Sequence, residues 1–477
     1  MPSNALLVTL GGIGDGPLPV ADNEQYAADA TKNYHGVPLA VMRPRTTSEL
    51  VEIVRSCAAA EVSIVPRGGN SGLVGGAVPV DDEQSVVVSL EKMRTVRDID
   101  LVSNTVTVEA GYLLVELQEL ASNNNRLFPL RHAGLSSQVG GNLSTNAGGT
   151  NVIRYGMARN LVLGLEVVLA NGAVWNGLNR LPKDNTGYDL KQLFLGAEGT
   201  LGIITAAKLR LFPAPKLQRT AWIGVASCAA AVDLLSRCRT ELDEFLSTFE
   251  LMNRNAVERY LNGRRAPLAG SHEWHILVVV TATSDRIPLE ETLLDVLAQA
   301  NADGVVEDAV IAADDQQERT LWEIREGIPA ALIEDPTCIK GDTGVAVGAV
   351  AEFVTVTDAG VRALLPDAEI VTFGHVGDGN IHYNVVRPDS MEPQEFAGYG
   401  SDIMRVIETT ALDLGGTISA EHGLGQKKMR RFADVVAAEE LDLMRLIKGA
   451  LDPLGIMNPD KLVDMRVPQA NAVPIQE

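Results

Sequence analysis

Cysteine is scarce in this chain. Four occur in 477 residues (Cys57, Cys228, Cys238 and Cys338), and no two form a CxxC pair. That spacing excludes a thiolate zinc site and a disulfide framework, and free thiols in a reducing cytoplasm are the expectation. No run of ~20 apolar residues is present to cross a membrane. No basic region precedes an apolar stretch at the N-terminus, and the first forty residues hold no arginine. Neither a signal peptide nor a transit segment is therefore expected, and the reading is cytoplasmic. Positive charge is short as well: 40 Lys and Arg stand against 62 Asp and Glu, a net charge of −22. A chain of that sign does not take nucleic acid or an anionic membrane as a general partner. A small acidic substrate stays open, because a few buried cations override the global sign locally. There is no internal repeat and no low-complexity segment.

What is there has the balance of a folded protein, 46% hydrophobic and 21% charged. The length exceeds what one core serves, so two or more domains are expected. Thr46 and Glu49 form a candidate capping box ahead of apolar residues at helical spacing. Val62 to Val65, Ser85 to Leu90 and Val102 to Ala110 read as strands, and Leu163 to Trp175 as a hairpin about Asn171-Gly172. Pro213 and Pro215 mark a boundary. Beyond it, strands are expected at Ile276 to Val280, Gly344 to Val354 and Ile370 to Phe373. Helices are expected at Ala229 to Leu242, Glu290 to Ala300, Asp402 to Leu414 and Ala437 to Leu451. The last twelve residues read as a loose tail.

Three segments of the first half are rich in small residues and amides. Pro66 to Gly76 (PRGGNSGLVGG) carries five glycines in eleven residues, too many for an element interior. Such a loop lets backbone N–H groups approach and point at an anion. Asn70 and Ser71 add donors, and Arg67 adds a charge or holds the loop. A P-loop would end in GK[ST], which is absent. A dinucleotide fingerprint would open a helix, whereas Pro79 follows here. A second loop runs from Ser136 to Gly149 (SSQVGGNLSTNAGG). A third segment runs from Lys183 to Leu190 and on through Gly196 to Ile204. Together they suit a long, diphosphate-linked cofactor better than one compact phosphate.

Three of the seven histidines fall in two compact motifs, Gly374 to Asn384 (GHVGDGNIHYN) and Ala420 to Gly425 (AEHGLG). On one straight strand His375 and His382 would point apart, but the Gly-Asp-Gly-Asn between them can reverse the chain. His382 and Asn384 share a strand face. Glu421 and His422 point apart if extended, so one could bind a metal while the other faces substrate. Two imidazoles and a carboxylate make a divalent site with open positions, and zinc, manganese or cobalt would fit. Hydrogen-bonded turn histidines are the plain alternative. His272-Glu-Trp-His275 lacks metalloprotease spacing and reads as structural. His35 and His132 are lone histidines.

These motifs, in this order, resemble the vanillyl-alcohol-oxidase-like, or PCMH-type, flavoproteins. The branch is that of the D-2-hydroxy-acid dehydrogenases, which includes enzymes of D-2-hydroxyglutarate, D-lactate and glycolate. The resemblance runs from about Pro44 to Leu462. It implies an α+β chain with a two-subdomain FAD-binding domain (1–215). An α+β substrate and cap domain with an antiparallel sheet (216–430) would follow, then a helical C-terminal segment packing back on the first (431–477). It implies that Pro66, Arg67, Gly68, Gly69, Asn70, Ser71, Gly72 and Leu73 cradle the FAD diphosphate. Ser136, Gly140, Gly141, Asn142, Thr145, Asn146, Ala147 and Gly148 would line the flavin. Glu198, Gly199 and Ile203 would lie near the adenine end or ring edge, and Asn458 would also touch the cofactor. Some members attach flavin through a histidine in the first loop; here Asn70 implies non-covalent FAD. The branch implies His375, His382 and Glu421 as metal ligands and His422 as base. It also implies Arg325, on a helix start or turn, and Lys340 as carboxylate-binding cations, with Asn384 orienting the substrate. Two departures stand out: Pro329 replaces a hydroxyl residue four past the arginine, and Arg131-His132 replaces an acidic or neutral pair. The implied reaction is oxidation of a D-2-hydroxy acid, D-2-hydroxyglutarate first and D-lactate or glycolate as the alternative. A quinone or an electron-transfer flavoprotein would take the electrons, and a homodimer is expected. A flavin-free metal hydrolase and a non-catalytic flavin subunit are the rival readings.

Overall fold

The computed structural model describes residues 2–19, 24–82, 84–132, 134–179, 181, 183–333 and 337–465. The expected tail from 466 onward lies outside them.

The first half builds its two larger sheets on one core, beside a two-stranded pairing of Phe212–Pro213 with Arg126–Leu127. Ala40–Met42, Ser85–Ser89 and Ser63–Arg67 form a three-stranded parallel sheet with Ser85–Ser89 in the middle. Helix Thr47–Ala60 supplies its crossover, starting at Thr46, whose side chain accepts from the Glu49 N–H. The Glu49 carboxylate reaches back to the Arg45 N–H at 2.7 Å, one residue earlier than a standard capping box. The second sheet is antiparallel, in the order Val96–Asp100, Thr105–Glu109, Ile203–Arg210, Val162–Val168, Val174–Asn176. Its last pair is the hairpin about Asn171-Gly172, where Gly172 has φ 74°.

The second half is one eight-stranded sheet. Its order is Asp308–Ile311, Leu217–Val225, Trp274–Ala282, Leu246–Asn253, Glu369–His375, Asn380–Val386, Ile339–Lys340, with Thr343–Gly344 also on Asn380–Val386. Helices cover both faces, so the central strands are buried nearly throughout rather than alternating. Cys228–Leu242, Leu289–Ala302, Val350–Leu364 and Pro393–Asp413 pack on one face. Arg254–Leu261 and Asp315–Ile333 pack on the other. The chain then returns through helices Gly425–Val435 and Ala438–Leu451, and Ile456 and Met457 enter the core of the first half. No described helix is long and apolar enough to cross a membrane. Cys57, Cys228 and Cys238 are buried free thiols, and burial pushes each up to about 12.

Two expectations are corrected. Gly344 to Val354 is not a strand. Thr343–Gly344 makes a two-residue pairing, and a helix spans Val350–Leu364. Val350, Phe353, Val354, Thr357 and Val361 are its buried residues, and that spacing is helical despite the β-branched composition. Arg325 sits in the middle of helix Asp315–Ile333, not at a helix start. Pro329 lies inside that helix and cannot donate to the Arg325 carbonyl, yet packing on the sheet holds the helix through it.

The helical assignment makes a test. Phe353→Ala, at a fully buried position, is expected to cost about 3–5 kcal/mol. Val356→Ala, on the exposed side at 48%, is expected to stay within ~0.5 kcal/mol. Urea unfolding of the two variants measures both, and equal losses would contradict the helical spacing.

Candidate active site

The glycine loops of the first half interlock. A Cβ on Gly69 would lie 1.8 Å from the Ser136 carbonyl oxygen, and one on Gly68 would lie 3.4 Å from Gly141 Cα. Only glycine lets the first of these approaches form, whereas the second would still admit a methyl group. Ser136 Oγ donates to the Gly69 carbonyl at 2.9 Å. Arg67 holds the loop rather than facing a ligand. It is buried, donates to the carbonyls of Gln25, Tyr26, Ala28 and Ala77, and stacks over the Tyr26 ring. Asn70, at φ 53°, donates to the Ala28 carbonyl. Among the described residues, no backbone N–H from Gly68 to Leu73 donates a hydrogen bond within the protein. Gln138 Oε1 and Asn458 Oδ1 are buried without a partner, and nothing lies within 4 Å of a Cβ on Gly72. A row of free N–H groups on glycine-rich backbone fits a diphosphate.

The rest of the proposed cofactor set divides. Gly140, Gly141, Asn142, Thr145, Asn146, Ala147 and Gly148 follow in and just after helix Val139–Ser144. The third segment packs on them, with the Glu198 N–H donating to the Ser144 carbonyl at 2.8 Å. Asn142 Oδ1 is met by His132 Nε2 at 3.0 Å, so His132 has a partner the sequence did not show. Gly199, at φ 74°, packs against Pro66. Two of the expected cofactor residues turn their side chains into the protein. Ile203 turns into the core of the first half, 1% exposed. The Glu198 carboxylate is taken by the N–H groups of Leu424 and Gly425, at 2.8 and 2.9 Å. Asn458 binds the carbonyls of Gly76 and Glu198 at 3.0 and 2.6 Å.

In the second half the strand register does the positioning. The turn after His375 reverses the chain at Gly379, φ 85°. Strands Glu369–His375 and Asn380–Val386 then pair with Phe373 opposite His382 and Val371 opposite Asn384. His375 therefore lies diagonal to His382 on the same face, with ring centroids 5.5 Å apart. Lys340 stands opposite Asn384 on the next strand, so it shares that face.

Glu421 arrives on a loop from another direction. Its two oxygens lie 3.5 Å from His375 Nε2 and 3.9 Å from His382 Nε2. His375, His382 and Glu421 thus offer three ligand atoms within 4.8 Å of one another. Burial opposes charge on Glu421, but His375 and His382 outweigh it and hold the carboxyl at about 2. Burial lowers His382 to about 4. His375 shifts the other way: Glu250 and Glu421 outweigh burial and push it well above its usual range, so a divalent ion there would have to displace its proton. His375 Nδ1 bonds to Glu250 Oε1 at 2.7 Å. That contact holds the ring and turns Nε2 toward Glu421. A Cβ on Gly148 would lie 2.7 Å from Glu421 Oε1, so the second glycine loop abuts the cluster directly.

His422 follows Glu421 in the chain. Its Nδ1 lies 3.2 Å from Asp342 Oδ2. Its ring stacks 5.9 Å from that of His382. Arg325 is buried and already paired. Its guanidinium grips Glu250 Oε2 at 2.7–2.8 Å and stacks on Phe373. Glu250 itself is fully buried. Burial alone would raise its carboxyl, but His375 and Arg325 hold it below the usual range. Asn384 is buried and its amide N–H groups go to the carbonyls of Val371 and His382. Lys340 is exposed. Arg131 crosses from the first half to Glu326 at 2.7 Å and covers the Trp322 ring. The HEWH histidines are buried away from this cluster, His272 on Glu307 and His275 on Trp222.

Sequence reasoning missed Glu250 and Asp342. Each had a signal. Glu250 is the only charged residue of the buried strand Leu246–Asn253, and Asp342 lies in the polar KGDTG run two residues after Lys340.

Comparison with known proteins places this geometry. Residues 38–177 match the FAD binding domain family model, and residues 214–462 match the C-terminal domain of FAD linked oxidases. The D-2-hydroxyglutarate dehydrogenase of Xanthomonas citri pv. viticola is 36% identical over 446 residues, covering 93% of each chain. The mitochondrial D-2-hydroxyglutarate dehydrogenase of Arabidopsis thaliana is 38% identical over 91% of this chain and 77% of its own. The structure of p-cresol methylhydroxylase with substrate bound superposes with a TM-score of 0.79 at 17% identity, covering 98% of both chains. The 4-ethylphenol oxidase of Gulosibacter chungangensis does so with 0.73, also at 17% identity, over 97% of both. The structural likeness establishes the fold, PCMH-type and α+β. Relatives this similar along nine-tenths of the sequence establish the rest: the chain belongs to the FAD-linked oxidases, in their D-2-hydroxy-acid dehydrogenase branch, and is an FAD-dependent oxidoreductase.

Proposed function

We propose that this protein oxidises a D-2-hydroxy acid, D-2-hydroxyglutarate first, to the 2-oxo acid at non-covalent FAD. The observation that carries the reading is the convergence of His375, His382, Glu421 and His422 beside Gly148 of the second glycine loop. The loops from Pro66 to Leu73 and from Ser136 to Gly148 would hold FAD, with the free N–H groups on its diphosphate. The chain then divides at 215 and 430 into FAD-binding, substrate- and metal-binding, and closing segments. FAD supplies the acceptor for the hydride that leaves the substrate α-carbon. His375, His382 and Glu421 would hold a divalent ion, zinc or else manganese or cobalt, which when bound attracts the substrate carboxylate and lowers the hydroxyl pKa. His422 is the general base that takes the hydroxyl proton. Loss of that proton and of the α-hydride leaves the carbonyl of the 2-oxo acid. Lys340 binds a substrate carboxylate, and Asn384, locked by its two carbonyls, shapes the floor beside it. Electrons leave the flavin for a quinone or an electron-transfer flavoprotein.

Arg325 shapes the choice of substrate. Its charge is met by buried Glu250, which favours a second reading in which the substrate has one carboxylate, as D-lactate has. If Arg325 still serves a distal carboxylate, it does so as part of a His375–Glu250–Arg325 chain.

Three measurements test these statements. His422→Ala should lower turnover by on the order of 10²–10⁴-fold while the purified protein keeps its flavin absorbance; near-normal turnover removes His422 from the base role. Chelation should abolish activity and added zinc, manganese or cobalt should restore it, with metal content followed by mass spectrometry. Full activity without metal would sink that part. A dye-linked comparison of D-2-hydroxyglutarate, D-malate, D-lactate and glycolate should show the highest kcat/KM for D-2-hydroxyglutarate. Preference for D-lactate would establish the second reading.

A further inference from the structure

We infer that Asp342 is a positioning residue for His422, an inference that rests on His422 being the base. Asp342 is 3% exposed. Each oxygen has a separate task. Oδ2 accepts the consecutive backbone N–H groups of Glu421 and His422 at 3.2 and 3.0 Å. It also lies 3.2 Å from His422 Nδ1 and 3.8 Å from Lys428 Nζ. Oδ1 accepts from Asn380 Nδ2 at 3.0 Å and lies 3.8 Å from His382 Nδ1.

The consequence is geometric. The two N–H groups that Oδ2 accepts belong to the residue that carries the base and to the residue before it, so this oxygen fixes the backbone from which the His422 ring projects. Nδ1 of that ring lies beside the same oxygen, so the carboxylate also limits where the ring can sit. An amide at position 342 cannot do this. Whichever way it turns, its NH₂ group meets a donor, either the Asn380 amide or the His422 loop.

The same carboxylate is also within 4.8 Å of ligand nitrogens of His382 and His422, so metal binding by Asp342 is the competing account. Asp342→Asn, His422→Ala and the double variant, each prepared with FAD and metal, separate the possibilities. The readout is the rate of flavin reduction by substrate, with flavin and metal content measured alongside. Asp342→Asn is expected to slow reduction about 100-fold at unchanged flavin and metal content. In the His422→Ala background the same substitution should change the rate by less than ~2-fold, because both act through one group. Asp342→Glu, which keeps the charge, should recover about 10-fold of the loss. Effects that multiply in the double variant, loss of metal from Asp342→Asn, or a wild-type rate in it would each overturn the inference. A normal rate in His422→Ala alone would instead remove the base reading on which it rests.

Discussion

Two buried carboxylates clamp the loop from Ala420 to Gly425 from opposite sides, and the site depends on that clamp. Asp342, from the second half, accepts the N–H groups of Glu421 and His422. Glu198, from the first half, accepts those of Leu424 and Gly425. A hydrogen bond to an ionised carboxylate is worth about 1.5–3 kcal/mol; burial pushes the Glu198 carboxyl up, which weakens the charge assistance on its side. The loop needs these bonds, because Gly423 and Gly425 run at φ 76° and 48° and no ladder holds it. Glu421 and His422 thus take their positions from the docking of the two halves, with the glycine loop and the His375–His382–Glu421 cluster meeting at Gly148.

Charge is managed by pairing rather than by excess. The chain carries 22 more acidic than basic residues, but the cluster alternates signs over short distances. Arg325 faces Glu250, Glu250 faces His375, and His375 faces Glu421. Lys428 and His422 face Asp342. Breaking one member of such a chain leaves a buried charge without its counterpart, which costs far more than a surface pair. The arrangement explains why Arg325 lies under the sheet face as a partner of Glu250.

Much of this was legible in local sequence. Glycine spacing marked the three cofactor loops, since only glycine tolerates approaches as close as Gly69 to Ser136. The Gly-Asp-Gly-Asn turn announced that His375 and His382 could meet, because a strand period of two and a reversal leave few other outcomes. The helix at Val350–Leu364 was misread because valine and threonine favour strands in isolation, while packing against the sheet decided otherwise. Ile203 was assigned to the cofactor, yet its strand register turns it into the core.

The sequence by itself determined which groups are available: glycine-rich loops with close backbones, two histidines about a turn, and a third histidine beside a glutamate. These are properties of residue type and short spacing, which the backbone expresses locally. Only the tertiary structure decided who serves whom. Glu250 lies 125 residues from His375 and Asp342 lies 80 from His422. Such pairs form because burial forces each charged group to find an opposite charge or a donor, and burial is set by how the whole chain packs.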